Sequence, residues 1–274
     1  MNANPKLLIL GAHPDDAEFA AGGLATLYST LGRTVKMVSV TDGGAGHYRR
    51  SASELVELRR NEAANAGAVI GAEYETWEFP DGGLEPTLAV RHHIIREIRS
   101  FRPDLVLTHR PCDYHPDHRA VGQCVQDASY LVTVPLVVPE VPALRRDPVV
   151  AYLPDLFTRP NPMRPDVMID IEPHLDTIAA MLMCHKTQVF EWLAYEADIL
   201  DSVPKNEGDR LPWVRQWFEG HCRPRADRFR AELVARCGED RGNATNFVEV
   251  FEISEYARQP DSEYRKLLFP GSIG

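Results

Sequence analysis

Several kinds of segment are missing from this sequence of 274 residues, and each absence excludes a class of protein. No run of about 18 apolar residues occurs, which excludes a transmembrane helix. The apolar run at residues 7–10 is too short for the core of a signal peptide. Basic residues are also few, since 30 Lys and Arg stand against 40 Asp and Glu, a formal net charge of −10. This balance argues against a sequence-independent nucleic-acid binder and against a polybasic membrane-surface protein.

Cysteine is scarce as well. The five cysteines are scattered along the chain and never form a Cys-x-x-Cys pair: Cys112, Cys124, Cys184, Cys222 and Cys237. A disulfide framework or a structural zinc knuckle is therefore not expected, and a reducing cytoplasm fits best. The spacing Gly-x-Gly-x-x-Gly is missing too, so the sequence does not support a nicotinamide cofactor. The remaining composition, 44% hydrophobic and 26% charged, is typical of a globular protein.

Strand and helix signals alternate in the first half of the chain. Short apolar runs predict buried strands at residues 6–10, 34–40, 74–79 and 105–108. Helices are predicted between them, at residues 17–31, at 51–69 behind a capping-box pattern, and at 88–101. This order predicts an α/β fold, Rossmann-like, with a mostly parallel sheet and helices on both faces. Ligands of such folds bind beyond the carboxyl ends of the strands.

The second half gives weaker signals. Residues 134–165 are predicted to be mostly loop with a strand at 149–153, followed by a strand at 167–171 and a helix at 175–188. Residues 198–245 are polar and are predicted to be irregular, with helical pieces at 213–218 and 226–235 and a late strand at 247–253. We therefore predict a catalytic α/β core at residues 1–190. Residues 191–274 are predicted to be an extension of the same domain, a candidate lid or subunit contact.

A first polar cluster follows the first predicted strand. The sequence His13-Pro14-Asp15-Asp16 places two carboxylates beside an imidazole at the end of a buried strand. Such a group is costly to bury unless a cation or an ion pairs with it. The alternative is structural, because either aspartate would suit the cap of the following helix.

A second polar cluster follows the fourth predicted strand. Asp113 and Tyr114 lead into His115-Pro116-Asp117-His118, again with His and Asp around a proline. A solvated polar turn is the alternative here. Adjacent loops of a parallel sheet would bring both clusters to one edge, where two imidazoles and a carboxylate suit a divalent transition metal with an open coordination position.

Together the two motifs resemble those of the PIG-L/LmbE family of zinc-dependent de-N-acetylases. Three further segments resemble that family: Arg59-Arg60 with Glu62, Pro80-Asp81-Gly82-Gly83, and His185-Lys186-Thr187-Gln188. The resemblance covers about residues 5–190. The family includes deacetylases of N-acetylglucosaminyl-phosphatidylinositol, of the mycothiol and bacillithiol precursors, and of chitobiose.

The resemblance implies a metal site. Its ligands would be His13, Asp16 and His118, and the metal Zn²⁺, with another divalent ion such as Fe²⁺ as the alternative. A metal of this kind lowers the pKa of a bound water towards about 7.

The resemblance also implies three catalytic roles. Asp15 would be the general base that deprotonates the zinc-bound water. His115 would stabilise the tetrahedral oxyanion, and Asp117 would lie behind it, orienting the ring and favouring its protonated form. Asp15 and His115 both remain candidates for the acid that protonates the leaving amine.

Further residues are predicted to contact the substrate: Asp42, Arg59, Asp81 and Tyr114. Each has a structural alternative, since Asp42 and Asp81 lie in turn-forming sequences and Arg59 would suit a solvated helix face or a salt bridge. His185 is predicted to be either a residue behind the site or a core histidine. Four other histidines have no supporting motif: His47, His109, His174 and His221.

The sequence therefore predicts a zinc-dependent hydrolase that removes an N-acetyl or similar acyl group from a small amine, such as an N-acetylglucosamine-type sugar or its conjugate. An amidase of a larger thiol or sugar conjugate is an alternative, which would need a wider pocket. Two further alternatives are a non-catalytic metal- or sugar-binding α/β protein and an iron site for oxygen chemistry. The expected partner is a small molecule, without nucleic acid or membrane insertion. Family relatives often form homo-oligomers, although no feature of this sequence indicates one.

Overall fold

Seven strands form one sheet through the centre of the molecule. The structure, a computed structural model, describes residues 4–274. The strands are β1 (Leu7–Gly11), β2 (Val35–Thr41), β3 (Glu73–Phe79), β4 (Leu105–Thr108), β5 (Val149–Tyr152), β6 (Val167–Asp170) and β7 (Val248–Ile253). They lie in the order β3-β2-β1-β4-β5-β7-β6, and only the two pairings of β7 are antiparallel within the described residues. The predicted α/β fold with a mostly parallel sheet is confirmed.

The helices of the described chain lie between and after these strands. They are α1 (Asp16–Thr30), α2 (Ala52–Val69), α3 (Leu88–Phe101), α4 (Pro116–Leu131), α5 (Leu175–Leu182), α6 (Leu193–Glu196), α7 (Arg210–Arg228), α8 (Arg230–Cys237), α9 (Glu239–Ala244) and α10 (Ser262–Leu268). A π-helical stretch, Thr187–Trp192, precedes α6. Over residues 4–274, no helix has both the length and the apolar character needed to cross a membrane.

Alternate residues of β1 face two separate hydrophobic cores. Leu7 and Ile9 pack in the core that α1 and α5 cover, whereas Leu8 and Leu10 pack in the core that α3 and α4 cover. All four side chains are fully buried. Strands buried on both faces appear in the sequence as continuous apolar runs, which explains why these short strands were predictable. The helices lie on both faces of the sheet, as predicted.

The carboxyl ends of four neighbouring strands meet at one edge of the sheet. β1 pairs with β2 on one side and with β4 on the other, and β2 pairs with β3, all in parallel. The loops at residues 12–15, 42–51, 80–87 and 109–115 therefore leave the sheet side by side. Both polar clusters of the sequence lie on this edge.

The C-terminal part of the chain is more regular than predicted. Residues 198–245, predicted to be irregular, contain the whole of α7, α8 and α9, so the irregular character is wrong. The helical pieces predicted at 213–218 and 226–235 are helical in α7 and α8. The predicted late strand is β7, which lies between β5 and β6. The domain boundary at residue 190 remains a prediction, but residues beyond it contribute a strand to the interior of the sheet.

Helix α1 is broken in its middle, and the C-terminal part of the chain fills the break. Ala21 has φ −144° and ψ 15°, so the backbone leaves the helical conformation there. In a regular helix the amide of Gly23 would donate to the carbonyl of Phe19. Instead, Gly23 donates to Glu249 Oε1 at 2.6 Å, and Arg225 Nη2 donates to the Phe19 carbonyl at 2.7 Å. Two side chains from α7 and β7 thus satisfy the groups that the break exposes.

Glu249 is expected to make the stability of the fold depend on pH. Burial raises the pKa of its carboxyl from 4.5 to about 7, although the amides of Gly23 and Leu24 and the charge of Arg225 oppose the rise. A group whose pKa is higher in the folded state contributes stability below its unfolded pKa and loses it as the pH rises through the folded value. We expect wild type to lose about 2–3 kcal/mol more unfolding free energy than Glu249→Gln between pH 5 and 8.

Urea unfolding at four pH values across this range measures the effect. The exposed Glu57 on α2 provides the matched control, because Glu57→Gln is expected to follow the wild-type curve. Parallel curves for wild type and Glu249→Gln would show that the carboxyl does not titrate as the fold predicts.

Candidate metal centre and active site

The loop after β1 brings the first motif to the start of α1. Gly11 leaves no room for a side chain, because a Cβ there would lie 2.8 Å from the Cβ of Asp16. Asp15 has φ 131°, a conformation that costs a non-glycine residue about 1–3 kcal/mol and is concentrated at functional sites. Its side chain makes no capping hydrogen bond to α1. The side chain of Asp15 therefore does not cap the helix, which was the structural alternative to a catalytic role.

The loop after β4 brings the second motif to the start of α4. The Asp113 carboxylate accepts a hydrogen bond from the His115 amide at 2.9 Å, which closes a tight turn. His115 then caps α4, because its Nδ1 accepts from the Asp117 amide at 3.2 Å. Pro116 occupies the first turn of the helix, where its missing amide hydrogen costs nothing. His118 follows in the same turn of α4.

Three donor groups from the two motifs converge. His118 Nε2 lies 3.2 Å from His13 Nδ1 and 3.5 Å from Asp16 Oδ1, and His13 Nδ1 lies 3.6 Å from Asp16 Oδ2. A tetrahedral zinc ion with bonds of about 2.0–2.2 Å holds its ligands about 3.3–3.6 Å apart. The donor types and their spacing therefore fit a zinc ion bound by two imidazoles and one carboxylate.

Carboxylates contact the far nitrogens of both histidines. His118 Nδ1 faces Asp113 Oδ1 at 3.1 Å. His13 Nε2 lies 3.2 Å from Asp117 Oδ2 and 3.3 Å from Asp81 Oδ1. Histidines that bind metals usually donate their other ring nitrogen to a carboxylate, which fixes the tautomer and the ring orientation. This arrangement directs His13 Nδ1 and His118 Nε2, the two nitrogens that face away from these carboxylates, at the same point.

Asp117 does not lie where the sequence analysis expected it. Its carboxylate faces His13 and accepts from the amides of Gly82 at 2.7 Å and Leu84 at 3.1 Å. Only its backbone amide reaches His115, as a donor to Nδ1. Burial lowers the pKa of His115, and the neighbouring His13 lowers it further. The geometry thus favours a neutral His115 with its proton on Nε2, not the protonated ring that the resemblance implied.

His109 is a site residue that the sequence analysis missed. Its Nε2 lies 3.1 Å from Asp16 Oδ2, and its ring stacks on His118 with centroids 3.8 Å apart. Among the described residues, Asp16, His109 and His118 are one of three sets of donor atoms close enough to hold a metal, beside His13 with His115 and His118, and His13 with Asp81 and Asp117. His109 directly follows β4, and this position at a strand end is the signal that could have identified it.

The general-base candidate Asp15 is almost completely buried beside a guanidinium. Its Oδ2 lies 3.7 Å from Arg59 Nη2, and its amide donates to the Tyr74 hydroxyl at 3.0 Å. Burial raises the pKa of Asp15 to about 7, and the charge of Arg59 opposes this rise. A carboxyl with a pKa near 7 exchanges protons readily at neutral pH.

Two of the predicted substrate residues accept hydrogen bonds from backbone amides of the protein. The Asp42 carboxylate accepts from the amides of Gly44 at 2.9 Å and Asp81 at 3.3 Å, which is a turn-forming contact. The Asp81 carboxylate accepts from the Ala45 amide at 3.0 Å and faces His13. These contacts hold the loops after β2 and β3 against the first motif.

The other two predicted substrate residues differ in exposure. Arg59 is fully buried and donates to the carbonyls of Gly43 at 3.1 Å and Pro14 at 2.8 Å. Tyr114 is 70% exposed, and its ring lies edge-on to His115 and His118 with centroids 5.7 and 5.5 Å apart. Tyr114 therefore lies at the mouth of the site, and Arg59 lies beneath it.

The segment with both motifs matches a known family. A family model described as "PIG-L: GlcNAc-PI de-N-acetylase" matches residues 8–129, from β1 to the end of α4. Residues 8–129 form a PIG-L domain. The predicted resemblance is confirmed, and so is the expected class, an enzyme related to hydrolases of amide bonds.

Proteins similar to this chain carry out more than one reaction. The 4-oxalmesaconate hydratase of Pseudomonas putida is 25% identical over 196 residues, which are 69% of this chain and 76% of that protein. The diacetylchitobiose deacetylase of Thermococcus kodakarensis is 32% identical over 123 residues, 43% of this chain and 46% of that protein. The match to the deacetylase thus spans about half of its length.

Solved structures have the same fold over nearly the whole of this chain. The N,N'-diacetylchitobiose deacetylase of Pyrococcus horikoshii superimposes with a TM-score of 0.70 at 20% identity, over 95% of this chain and 88% of that one. The 4-carboxy-2-hydroxymuconate hydratase of Pseudomonas putida gives 0.71 at 18% identity, over 94% and 99%. The fold therefore extends beyond the family match to the C-terminal helices and β7.

Proposed function

We propose that this protein is a divalent-metal-dependent amide hydrolase that removes an acetyl group from the nitrogen of a small amino-sugar-type molecule. One observation carries the proposal. Asp15, a buried carboxylate with a pKa near 7, lies next to Asp16 and the two histidines whose donor atoms converge. This is the arrangement that hydrolysis of an amide by an activated water requires.

The proposed metal ligands are His13, Asp16 and His118, with Zn²⁺ as the ion that fits their spacing. When bound, such an ion supplies Lewis acidity, which makes a nearby water more acidic and polarises an amide carbonyl. Asp113, Asp81 and Asp117 keep the two imidazoles in the tautomer that leaves the inner nitrogens available.

Asp15 is the proposed general base. Its carboxylate takes the proton from the attacking water and then delivers a proton to the departing nitrogen. The pKa of about 7 suits both directions of transfer, because the group is neither too acidic to accept the proton nor too basic to release it. Arg59 faces the carboxylate from below and limits where it can turn.

His115 is the proposed donor to the oxyanion. Its Nδ1 accepts from the Asp117 amide, so a neutral ring carries its proton on Nε2. A hydrogen bond from this nitrogen to the carbonyl oxygen strengthens as negative charge develops there. This contribution does not require the ring to be charged.

The rim of the site supports a small substrate with a ring or an apolar group. Tyr114 and Phe157, from the loops after β4 and β5, lie with ring centroids 6.1 Å apart, and both are exposed. Such aromatic surfaces beside a polar centre are typical of sites for small molecules. We propose that they contact the part of the substrate beyond the acetamide.

Hydration of a double bond is a second candidate function, favoured by the P. putida hydratase that matches over 69% of this chain. The electrostatics of the site argue against an unsaturated polycarboxylate as substrate. The acidic side chains Asp15, Asp81 and Asp117 surround the converging donors. Arg59, which contacts two of them, is buried and already bonded to backbone carbonyls.

A screen of N-acetylated amino sugars and their conjugates for amine release, with and without Zn²⁺, tests the proposed function. We expect zinc-dependent release that a chelator abolishes and that added zinc restores. Conjugates with large acyl groups and the unsaturated acid of the hydratase reaction belong in the same screen. Turnover of that acid alone would favour hydration, and bound zinc without any turnover would favour a non-catalytic binding protein.

Asp113→Asn is expected to weaken zinc binding by about 10- to 100-fold, because it removes the carboxylate that faces His118 Nδ1. Asparagine can still accept from the His115 amide, so the turn before α4 is retained. Competition with a chromogenic chelator measures the affinity. Asp127→Asn, on α4 and paired with Arg91, is the control that should bind zinc like wild type. Equal affinities of both variants would show that Asp113 does not support the metal site.

A further inference from the structure

Asp15 has an unfavourable backbone conformation that an aspartate does not adopt by its own preference. Its φ of 131° lies in the region that glycine prefers, yet the position carries an aspartate. A residue stays in such a conformation only when its surroundings fix it. The contacts of its backbone therefore decide where its carboxylate points.

A tyrosine from the neighbouring part of the sheet supplies one of these contacts. Tyr74, on β3, is buried, and its hydroxyl accepts a hydrogen bond from the Asp15 amide at 3.0 Å. The same hydroxyl donates to Glu18 Oε2 at 3.4 Å. The two hydrogen bonds have opposite directions, so the carboxylate of Glu18 determines which lone pairs the Tyr74 oxygen presents to Asp15.

Glu18 is fixed in turn by a second buried group. Its Oε1 accepts from His185 Nε2 at 2.8 Å, and both side chains are completely buried. His185 lies just before the π-helical stretch, far from the metal ligands in sequence. The chain of contacts runs from His185 through Glu18 and Tyr74 to the backbone of Asp15. None of these hydrogen bonds involves an atom of the proposed metal ligands His13, Asp16 and His118.

We propose that Tyr74, oriented by the Glu18–His185 pair, is a positioning residue for Asp15. It holds the strained backbone so that the Asp15 carboxylate faces the reacting amide, and the proposal rests on the proposed role of Asp15 as general base. Without the hydroxyl, the Asp15 amide loses its partner and the backbone relaxes towards negative φ. The base is then displaced, while His13 and Asp16 keep their mutual hydrogen bond at 2.7 Å.

Tyr74→Phe removes only this hydroxyl. We expect kcat to fall by about 10- to 100-fold, since a displacement of about 1 Å in a catalytic group has an effect of this size. KM and the zinc content are expected to stay within twofold of wild type. Amide hydrogen exchange in the peptide covering residues 13–19 is expected to become faster, because the Asp15 amide loses its acceptor.

Tyr28→Phe is the matched control. Tyr28 is buried as well, and its hydroxyl donates to the Leu268 carbonyl at 2.7 Å, away from the loops of the site. This variant is expected to lose a similar amount of thermal stability with unchanged kcat. A kcat for Tyr74→Phe equal to that of Tyr28→Phe would overturn the proposal, as would a loss confined to KM.

A second pair of variants covers the case in which Tyr74→Phe does not fold. His185→Ala is expected to lower kcat, and His185→Gln, whose amide can still donate to Glu18, is expected to restore part of it. Equal kcat in both variants would overturn the role of the pair. An inactive wild type would instead refute the proposed function. Amide exchange then still decides whether Tyr74 holds Asp15, and unchanged exchange in Tyr74→Phe would show that it does not.

Discussion

Replacing Asp15 by asparagine is expected to lower kcat by about 100- to 10,000-fold, the range for a lost general base. Asparagine has nearly the same shape and leaves the backbone hydrogen bond to Tyr74 in place. It cannot accept a proton, so water activation and proton delivery to nitrogen fail together. Steady-state kinetics on the best substrate of the screen, combined with zinc analysis, measure the loss. Zinc content is expected to remain at the wild-type level.

The pH profile and a control variant make this result specific to the base. Because burial raises the pKa of Asp15 to about 7, wild-type activity is expected to fall below neutral pH as the carboxylate becomes protonated. Asp176→Asn, at an exposed aspartate paired with Arg215, is expected to keep wild-type kinetics. An Asp15→Asn variant that binds zinc and retains more than a tenth of wild-type kcat would remove Asp15 from the mechanism.

Arg99→Met is expected to lower the free energy of unfolding by about 3–5 kcal/mol, a large share of the stability of a typical protein. Arg99 lies on α3 with 2% of its surface exposed, and its guanidinium donates at 2.6–3.0 Å to six backbone carbonyls: those of Leu131, Val132, Val134, Val137, Val138 and Val141. Methionine keeps the apolar stem but leaves these buried oxygens without a donor. The end of α4 and the following loop are expected to loosen.

Thermal and urea unfolding measure the effect, which corresponds to a melting temperature lower by about 10 °C. Arg96→Met is the matched control on the same helix, because Arg96 is exposed and pairs with Glu140 at the surface. Its loss is expected to stay below about 1 kcal/mol. Similar small losses for both variants would mean that water replaces the guanidinium among the six carbonyls.

The first half of the fold was predictable because its strands are buried on both faces. β1 and β4 appear in the sequence as short apolar runs, and the capping contact of Ser51 with the Glu54 amide starts α2 where its residues predict. The helices after residue 198 were not predictable in the same way. In α7, the buried face includes Arg225 as well as apolar residues, and its partner is a carbonyl freed by a break in α1. No local pattern contains that information.

The candidate site also has a part that was predictable from the sequence and a part that was not. Motifs next to strand ends indicated which side chains would lie together, because parallel strands bring their carboxyl ends to one edge. The role of each side chain depends on its contacts, and these depend on distances between loops. Asp117 contacts His13 and not the His115 ring because the loops after β3 and β4 approach each other there. Tyr74 is an ordinary strand residue in the sequence, and only its contact with the Asp15 amide reveals its importance.

The break in α1 has a consequence for chimaeras made between this protein and its relatives. Gly23 accommodates no side chain, because a Cβ there would lie 2.3 Å from Ile171, and its amide needs Glu249 as acceptor. A chimaera that joins the first 190 residues of this protein to the C-terminal part of a relative therefore keeps the break but loses Arg225 and Glu249, which satisfy it here. Such exchanges are expected to succeed when positions 23, 225 and 249 are transferred as one unit.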